Sequence, residues 1–122
     1  MAIDELDENI LLKKWRAQLS KGVLEFLVLI LLQKEKYGWD ILQMVRLLLP
    51  TTEPPLTDGT IYNVLTRLKR KSLVTFQNKN VDGRTRTYYN LSEKGEELLH
   101  VMKKDWIQLF AAISEAEEMV DG

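Results

Sequence analysis

Thr57-Asp58-Gly59-Thr60-Ile61-Tyr62-Asn63-Val64-Leu65-Thr66-Arg67-Leu68-Lys69-Arg70-Lys71 is the stretch on which the reading of this chain turns. Thr57 or Asp58 can cap a helix at its start, because a short side-chain oxygen satisfies an orphan backbone N–H there. Ile61, Val64, Leu65 and Leu68 recur at helical spacing and form one apolar face. At about 100° per residue, Gly59, Asn63, Thr66 and Arg70 lie opposite that face, with Tyr62 and Arg67 on its flanks. The outer surface is thus short and polar at its start and basic at its end. Asn, Thr and Arg can read base edges, while Arg and Lys hold phosphates. The stretch predicts the recognition helix of a winged helix-turn-helix. The plainer reading is a surface helix that happens to be basic, and the neighbouring segments decide between the two.

Downstream, Ser72 ends the helix and Leu73-Val74-Thr75-Phe76-Gln77-Asn78 reads as a strand. Asn80-Val81-Asp82-Gly83 carries a turn signal, strongest at Asp-Gly. Arg84-Thr85-Arg86-Thr87-Tyr88-Tyr89-Asn90-Leu91 returns as a second strand, with Arg84, Arg86 and Tyr88 on one face by period-two alternation. This hairpin is the expected wing; alone, an Arg-rich strand is more often a plain surface hairpin. Upstream, Tyr37-Gly38-Trp39-Asp40 leads into Ile41, Leu42, Met44, Val45 and Leu48, a second helix that Pro50 stops. Trp39 is expected in the core of the head. Thr51 to Pro55 reads as a loop, and Leu56 as a one- or two-residue strand.

The ends are more extended. Residues 1–8 read as a frayed acidic tail, and a helical pattern from about Asn9 to Lys34 follows, weakened at Gly22 by about 1 kcal/mol relative to Ala. The part from Asn9 to Ser20 is the less apolar half and is expected to be an arm. From Ser92, a good cap, a last helix runs to about Val120 with a stripe of Leu98, Met102, Trp106, Leu109 and Ile113, widened by Leu99 and Phe110. At 1.5 Å per residue it is on the order of 40 Å long. A head of short helices cannot cover that stripe, and uncovered apolar area of this kind marks an interface. A homodimer is therefore expected, this helix packing on its mate and on the partner's arm. Folding back on its own chain is the alternative. The expected organisation is mainly α with a small β-hairpin wing: tail and arm over 1–19, a winged helix-turn-helix head over 20–91, and a C-terminal dimerisation helix over 92–122.

Composition narrows the classes. The chain has 122 residues, one domain's length, with 29% charged and 45% hydrophobic residues, as suits a globular protein. With no cysteine, disulfides, thiol catalysis and zinc fingers are excluded. The acidic start is unlike a signal peptide, and the apolar run from Val23 to Leu32 is too short to span a bilayer; a cytoplasmic protein without membrane association is expected. Net charge is −1, but its distribution matters more. Residues 57–90 hold seven Lys and Arg against two acids (+5), and residues 92–122 hold eight acids against three bases (−5). Little supports an enzyme: His100 is the only histidine, Glu96 and Glu97 diverge on a helix, and no phosphate-cradling glycine loop occurs. No cofactor or metal is expected. A winged-helix module that pairs with protein rather than DNA is the rival that remains.

The order of motifs resembles the PadR family of bacterial transcriptional regulators. The matching blocks are Gly22-Val23-Leu24-Glu25, Tyr37-Gly38-Trp39-Asp40-Ile41, Gly59-Thr60-Ile61-Tyr62 with Leu65, Arg67 and Leu68, Arg86 to Gly95, and Trp106. They run collinearly over about residues 20–110. Ser72 departs from a common glycine after the recognition helix, and the acidic N-terminus lies outside the pattern. The single long last helix resembles the short-tailed branch, which includes regulators of multidrug export. The resemblance implies a homodimer on a pseudo-palindromic operator of double-stranded DNA, usually as a repressor, in some members released by phenolic or flat hydrophobic effectors. Thr60, Tyr62 and Asn63 are then expected at bases or adjoining phosphates, Arg67, Arg70 and Lys71 at the backbone, and Lys79, Arg84 and Arg86 at the wing's contact. Trp106, with Trp15 and Phe110 nearby, would line the effector site; ordinary interface packing is the competing reading of these aromatics.

Overall fold

The computed structural model describes residues 5–49 and 56–122. The expected loop from Thr51 to Pro55 and the stop at Pro50 lie outside the described residues. Element order is α1 (Glu5–Leu31), β1 (Lys36–Tyr37), α2 (Gly38–Leu48), α3 (Asp58–Arg70), β2 (Val74–Val81), β3 (Arg84–Leu91) and α4 (Glu93–Asp121). The three strands form one antiparallel sheet in the order β1-β3-β2. The architecture is mainly helical with a winged helix-turn-helix head, as the sequence predicts.

The core lies where α1, α2 and α3 meet the sheet. Leu29 near the end of α1 and Leu32 just past it join Ile41, Leu42 and Val45 from α2. The apolar face of α3, Ile61, Val64, Leu65 and Leu68, is fully buried against them, as its spacing predicts. Leu73, Val74, Leu91 and Leu99 close the core from the wing and α4.

Three details place α3 and the wing relative to each other. Thr57, rather than Asp58, is the N-cap, its hydroxyl accepting from the Thr60 N–H at 3.2 Å. At the other end Ser72 takes φ +61°, the Leu73 N–H reaches the Leu68 carbonyl and the Ser72 N–H the Lys69 carbonyl. That is a Schellman stop, with the residue after the cap in left-handed conformation. It turns the chain sharply from α3 into β2. The hairpin tip is the two-residue Asp82-Gly83 turn, both at positive φ, as twisted two-residue hairpins require.

Several expectations are corrected. The segment read as a frayed tail is already helical from Glu5, and α1 is one continuous helix through Gly22, beside which an added Cβ would meet nothing within 4 Å. The expected boundary between residues 19 and 20 therefore falls inside an unbroken helix, which ends at Leu31 rather than Lys34. Leu56 is not a strand. The third strand is Lys36–Tyr37, which pairs with Tyr88 and Tyr89 of β3. A two-residue strand has too few residues to show alternation, so its pairing with the wing leaves no local signal. Trp39 is not core: it is 54% exposed, because the first turn of α2 buries Gly38 and Ile41 and turns Trp39 outward.

Candidate nucleic-acid interface

The free surface of α3 is built by its two caps and its buried face. With Ile61, Val64, Leu65 and Leu68 inward, Tyr62, Asn63, Thr66, Arg67, Lys69 and Arg70 are left exposed. Asn63, Arg67 and Arg70 share one outer surface of the helix. Thr66 donates its hydroxyl to the Tyr62 carbonyl at 2.9 Å, so it is held along the helix. Thr60 is half-buried and its hydroxyl lies 2.9 Å from that of Thr57, inside the capping network.

Charge at the helix start is managed by a residue the sequence reading did not single out. Asp58 favours the positive end of the helix dipole but would repel a phosphate. Arg46 of α2 forms an ion pair with it. The two stand twelve positions apart on different elements, so no local spacing reveals the pair.

Tyr62 leans on the wing as well as facing solvent. A Cβ at Gly38 would stand 3.7 Å from the Tyr62 ring and 3.2 Å from the Tyr89 ring. The bare Gly38 thus lets a wing tyrosine and a recognition-helix tyrosine pack on the first turn of α2. Burial, and secondly the neighbouring Tyr62 hydroxyl, push the Tyr89 phenol above its ordinary value of 10.0.

The wing divides the remaining basic side chains. Register pairs Lys79 with Arg86 and Gln77 with Tyr88, so Lys79, Arg86 and Tyr88 share the sheet face opposite Tyr89 and Leu91. On that face the Tyr37 and Tyr88 rings pack tilted with centroids 5.7 Å apart, Arg86 lies 5.0 Å over Tyr37, and Lys79 lies 4.6 Å over Tyr88. Lys79 is also paired with Glu35. Arg84, next to the hairpin tip, is exposed. Lys69, which was not among the expected contacts, covers the Phe76 ring at 4.1 Å. Lys71 reaches back to Glu25 of α1 at 3.4 Å. The structure therefore gathers Tyr62, Asn63, Arg67 and Arg70 on one free surface, sets Lys79, Arg84 and Arg86 on the outer wing, and tethers Lys71 toward α1.

The expected effector residues lie apart from this surface. Trp106 packs on Phe26 (5.6 Å) and edge-on against Phe110 (5.2 Å). It borders an open apolar groove of about 330 Å³ between α1 and α4, lined also by Val23, Phe26, Leu27 and Ile30. Trp15 is 57% exposed on the outlying half of α1 and does not line the groove. His100 is exposed on α4. Among the described residues no helix is long and apolar enough to cross a membrane, and no group of His, Cys, Asp or Glu could hold a metal ion.

Comparison with known proteins supports the fold and identifies the family. Residues 27–101 match the model of the transcriptional regulator PadR-like family. A Streptococcus transcriptional regulator of known structure is 32% identical, with 82% of this chain and 97% of that one aligned and a TM-score of 0.70. A PadR-like transcriptional regulator from Bacillus cereus is 28% identical over 80% of this chain and 94% of that one, with a TM-score of 0.71. A PadR family regulator from Eggerthella lenta shares the fold, with a TM-score of 0.75 over 90% of this chain and 95% of that one at 21% identity. No curated protein matches the chain. The matched span takes in the end of α1, then α2, α3 and the wing, and the start of α4, and the chain belongs to the PadR-like family of DNA-binding transcriptional regulators, not to a family of enzymes.

Proposed function

We propose that the chain acts as a homodimeric repressor on a pseudo-palindromic operator and releases it when a small hydrophobic or phenolic effector binds. The observation that carries this reading is the pairing of two surfaces. One is the exposed polar and basic side of α3, fixed on a rigid head. The other is α4, where Ile107, Leu109, Phe110 and Ile113 are each more than half exposed in the single chain. An apolar face of that extent is matched by a second copy, and two-fold pairing would hold two recognition helices at a set separation.

In this reading α3 enters the major groove. Asn63 and Tyr62 approach bases, Thr60 lies at the helix start near a phosphate, and Arg67 and Arg70 hold the backbone. Arg84 leads the wing to flanking DNA, and Lys79, Arg86 and Lys71 exchange their present partners for phosphates. The groove beside Trp106 supports the effector part: a concavity lined by apolar and aromatic side chains suits a flat apolar ligand, and a wedge there would alter the spacing of the heads by shifting a population of states.

A gel-shift titration with DNA upstream of the protein's own reading frame tests the proposal. The parent should shift a discrete fragment, and the double variant Arg67→Ala/Arg70→Ala should not at the same concentration. One observation favours a second reading. Lys79 and Arg86 are engaged on the outer wing beside exposed Trp39, as on a surface that pairs with protein. Absence of any shift by the parent across promoter fragments would favour that reading.

A further inference from the structure

A second concavity lies on the outer side of the wing and shares no residue with the groove beside Trp106. Its volume is about 440 Å³, and it is lined by Tyr37, Trp39, Asp40, Arg84, Arg86 and Tyr88. Small-molecule sites span roughly 300–1,000 Å³, so its size suits one. Three of the six side chains are aromatic and three are charged. The DNA reading uses neither Trp39 nor Asp40.

Core packing does not account for this set. Trp39 is more than half exposed, and Asp40 and Arg84 are exposed as well. Arg84, Arg86 and Asp40 enter no ion pair among the described residues. The guanidinium of Arg86 lies over the Tyr37 ring, a placement that leaves its in-plane N–H donors available. Nearby Lys79 is already paired with Glu35. The cavity therefore offers two cations and one carboxylate beside three rings.

Each group fits a different part of a ligand. An exposed indole is a stacking platform for a flat heteroaromatic ring. Two guanidinium groups hold a phosphate through charge-assisted hydrogen bonds. An ionised carboxylate only accepts hydrogen bonds, so Asp40 disfavours a bare polyanion and selects a ligand that brings donors. Guanine presents two adjacent N–H donors on its Watson–Crick edge, which match the two oxygens of one carboxylate. Adenine presents an amino group beside a ring acceptor, and that acceptor repels a carboxylate.

We propose that this cavity binds a free guanine nucleotide, its base stacked on Trp39, its N–H edge on Asp40 and its phosphate on Arg84 and Arg86. The site stands on its own geometry. Its consequence for regulation rests on the DNA reading above: nucleotide and DNA compete for the same two arginines, so the nucleotide weakens operator binding.

Isothermal titration calorimetry of the full chain with GMP, AMP and guanosine, in the absence of DNA, tests the site. GMP should bind more tightly than AMP on the order of tenfold, and more tightly than guanosine by a similar factor. Trp39→Ala should weaken GMP on the order of tenfold or more, while Trp39→Phe keeps most of the affinity. Asp40→Asn should erase the preference for GMP over AMP, and Arg84→Ala the preference for GMP over guanosine. No heat on adding GMP, equal binding of GMP and AMP, or a Trp39→Ala variant that binds like the parent would overturn the site. Binding of a guanine-bearing single strand without binding of GMP would assign the cavity to nucleic acid and overturn it too. GMP binding by a parent that shifts no DNA would uphold the site and remove only the competition.

Discussion

Gly95 shows how one atom can fix the join between wing and α4. A Cβ there would fall far inside contact with the Leu73 carbonyl oxygen and 3.2 Å from a Leu91 methyl. The same junction is tied by the Ser92 N–H to the Leu73 carbonyl and the Ser92 hydroxyl to the Ser72 carbonyl. Gly95→Ala gains up to about 1 kcal/mol of helix propensity but forces a backbone shift costing about 1–3 kcal/mol. The overlap is with backbone, which cannot swing aside, so the variant should melt lower; an unchanged denaturant midpoint would count against the packing described. Tyr89 offers a pH test. Its phenol is raised in the fold, so the unfolded chain loses the proton first as pH climbs past 10.0. The folded state then binds more protons, and stability must fall with rising pH there. Tyr89→Phe should flatten that part of the stability profile, read by urea unfolding above pH 10.0, and an identical slope in both proteins would refute it.

At the scale of elements, α3 is the part whose chemistry can be separated from its packing. Arg67 and Arg70 are exposed and carry none of the core. Replacing either with Ala should leave unfolding within about 0.5 kcal/mol of the parent and lower the salt slope of DNA binding by about one per lost phosphate contact. A slope unchanged in both variants would remove them from the interface. Much of this helix was legible in its sequence, since four apolar residues at helical spacing and a Thr cap fix both its face and its start. The wing was legible for the same reason: Asp82-Gly83 can supply the two positive φ angles that its turn needs. What was not legible depends on partners distant in the chain. Lys36–Tyr37 is a strand only because β3 offers it an edge, Trp39 is outward only because Gly38 takes the inner position, and Arg46 of α2 finds Asp58 of α3 twelve positions on. The candidate contacts on α3 could be read from its periodicity. The present partners of Lys71, Lys79 and Arg86 could not, because Glu25, Glu35 and Tyr37 come from other elements.

For the whole molecule, the separation of a basic head from an acidic C-terminal helix reconciles a net charge of −1 with the DNA surface proposed for α3 and the wing. Two copies of the basic set would neutralise roughly 6–10 phosphates, and affinity should then fall by roughly 10³–10⁵ between 50 and 200 mM salt. The apolar groove beside Trp106 lies away from the α3 surface, so the proposed effector binding and DNA binding should separate. Trp106→Ala should weaken binding of a flat hydrophobic drug by calorimetry while operator affinity stays nearly intact, and equal drug binding by mutant and parent would argue against the groove. The central proposition is that two chains present their recognition helices to one duplex. Sedimentation velocity of the protein titrated into a fluorescent operator fragment measures this directly. The account predicts saturation at two chains per duplex, with Arg67→Ala/Arg70→Ala leaving the fragment free; saturation by a single chain, or a duplex that never shifts, would contradict it.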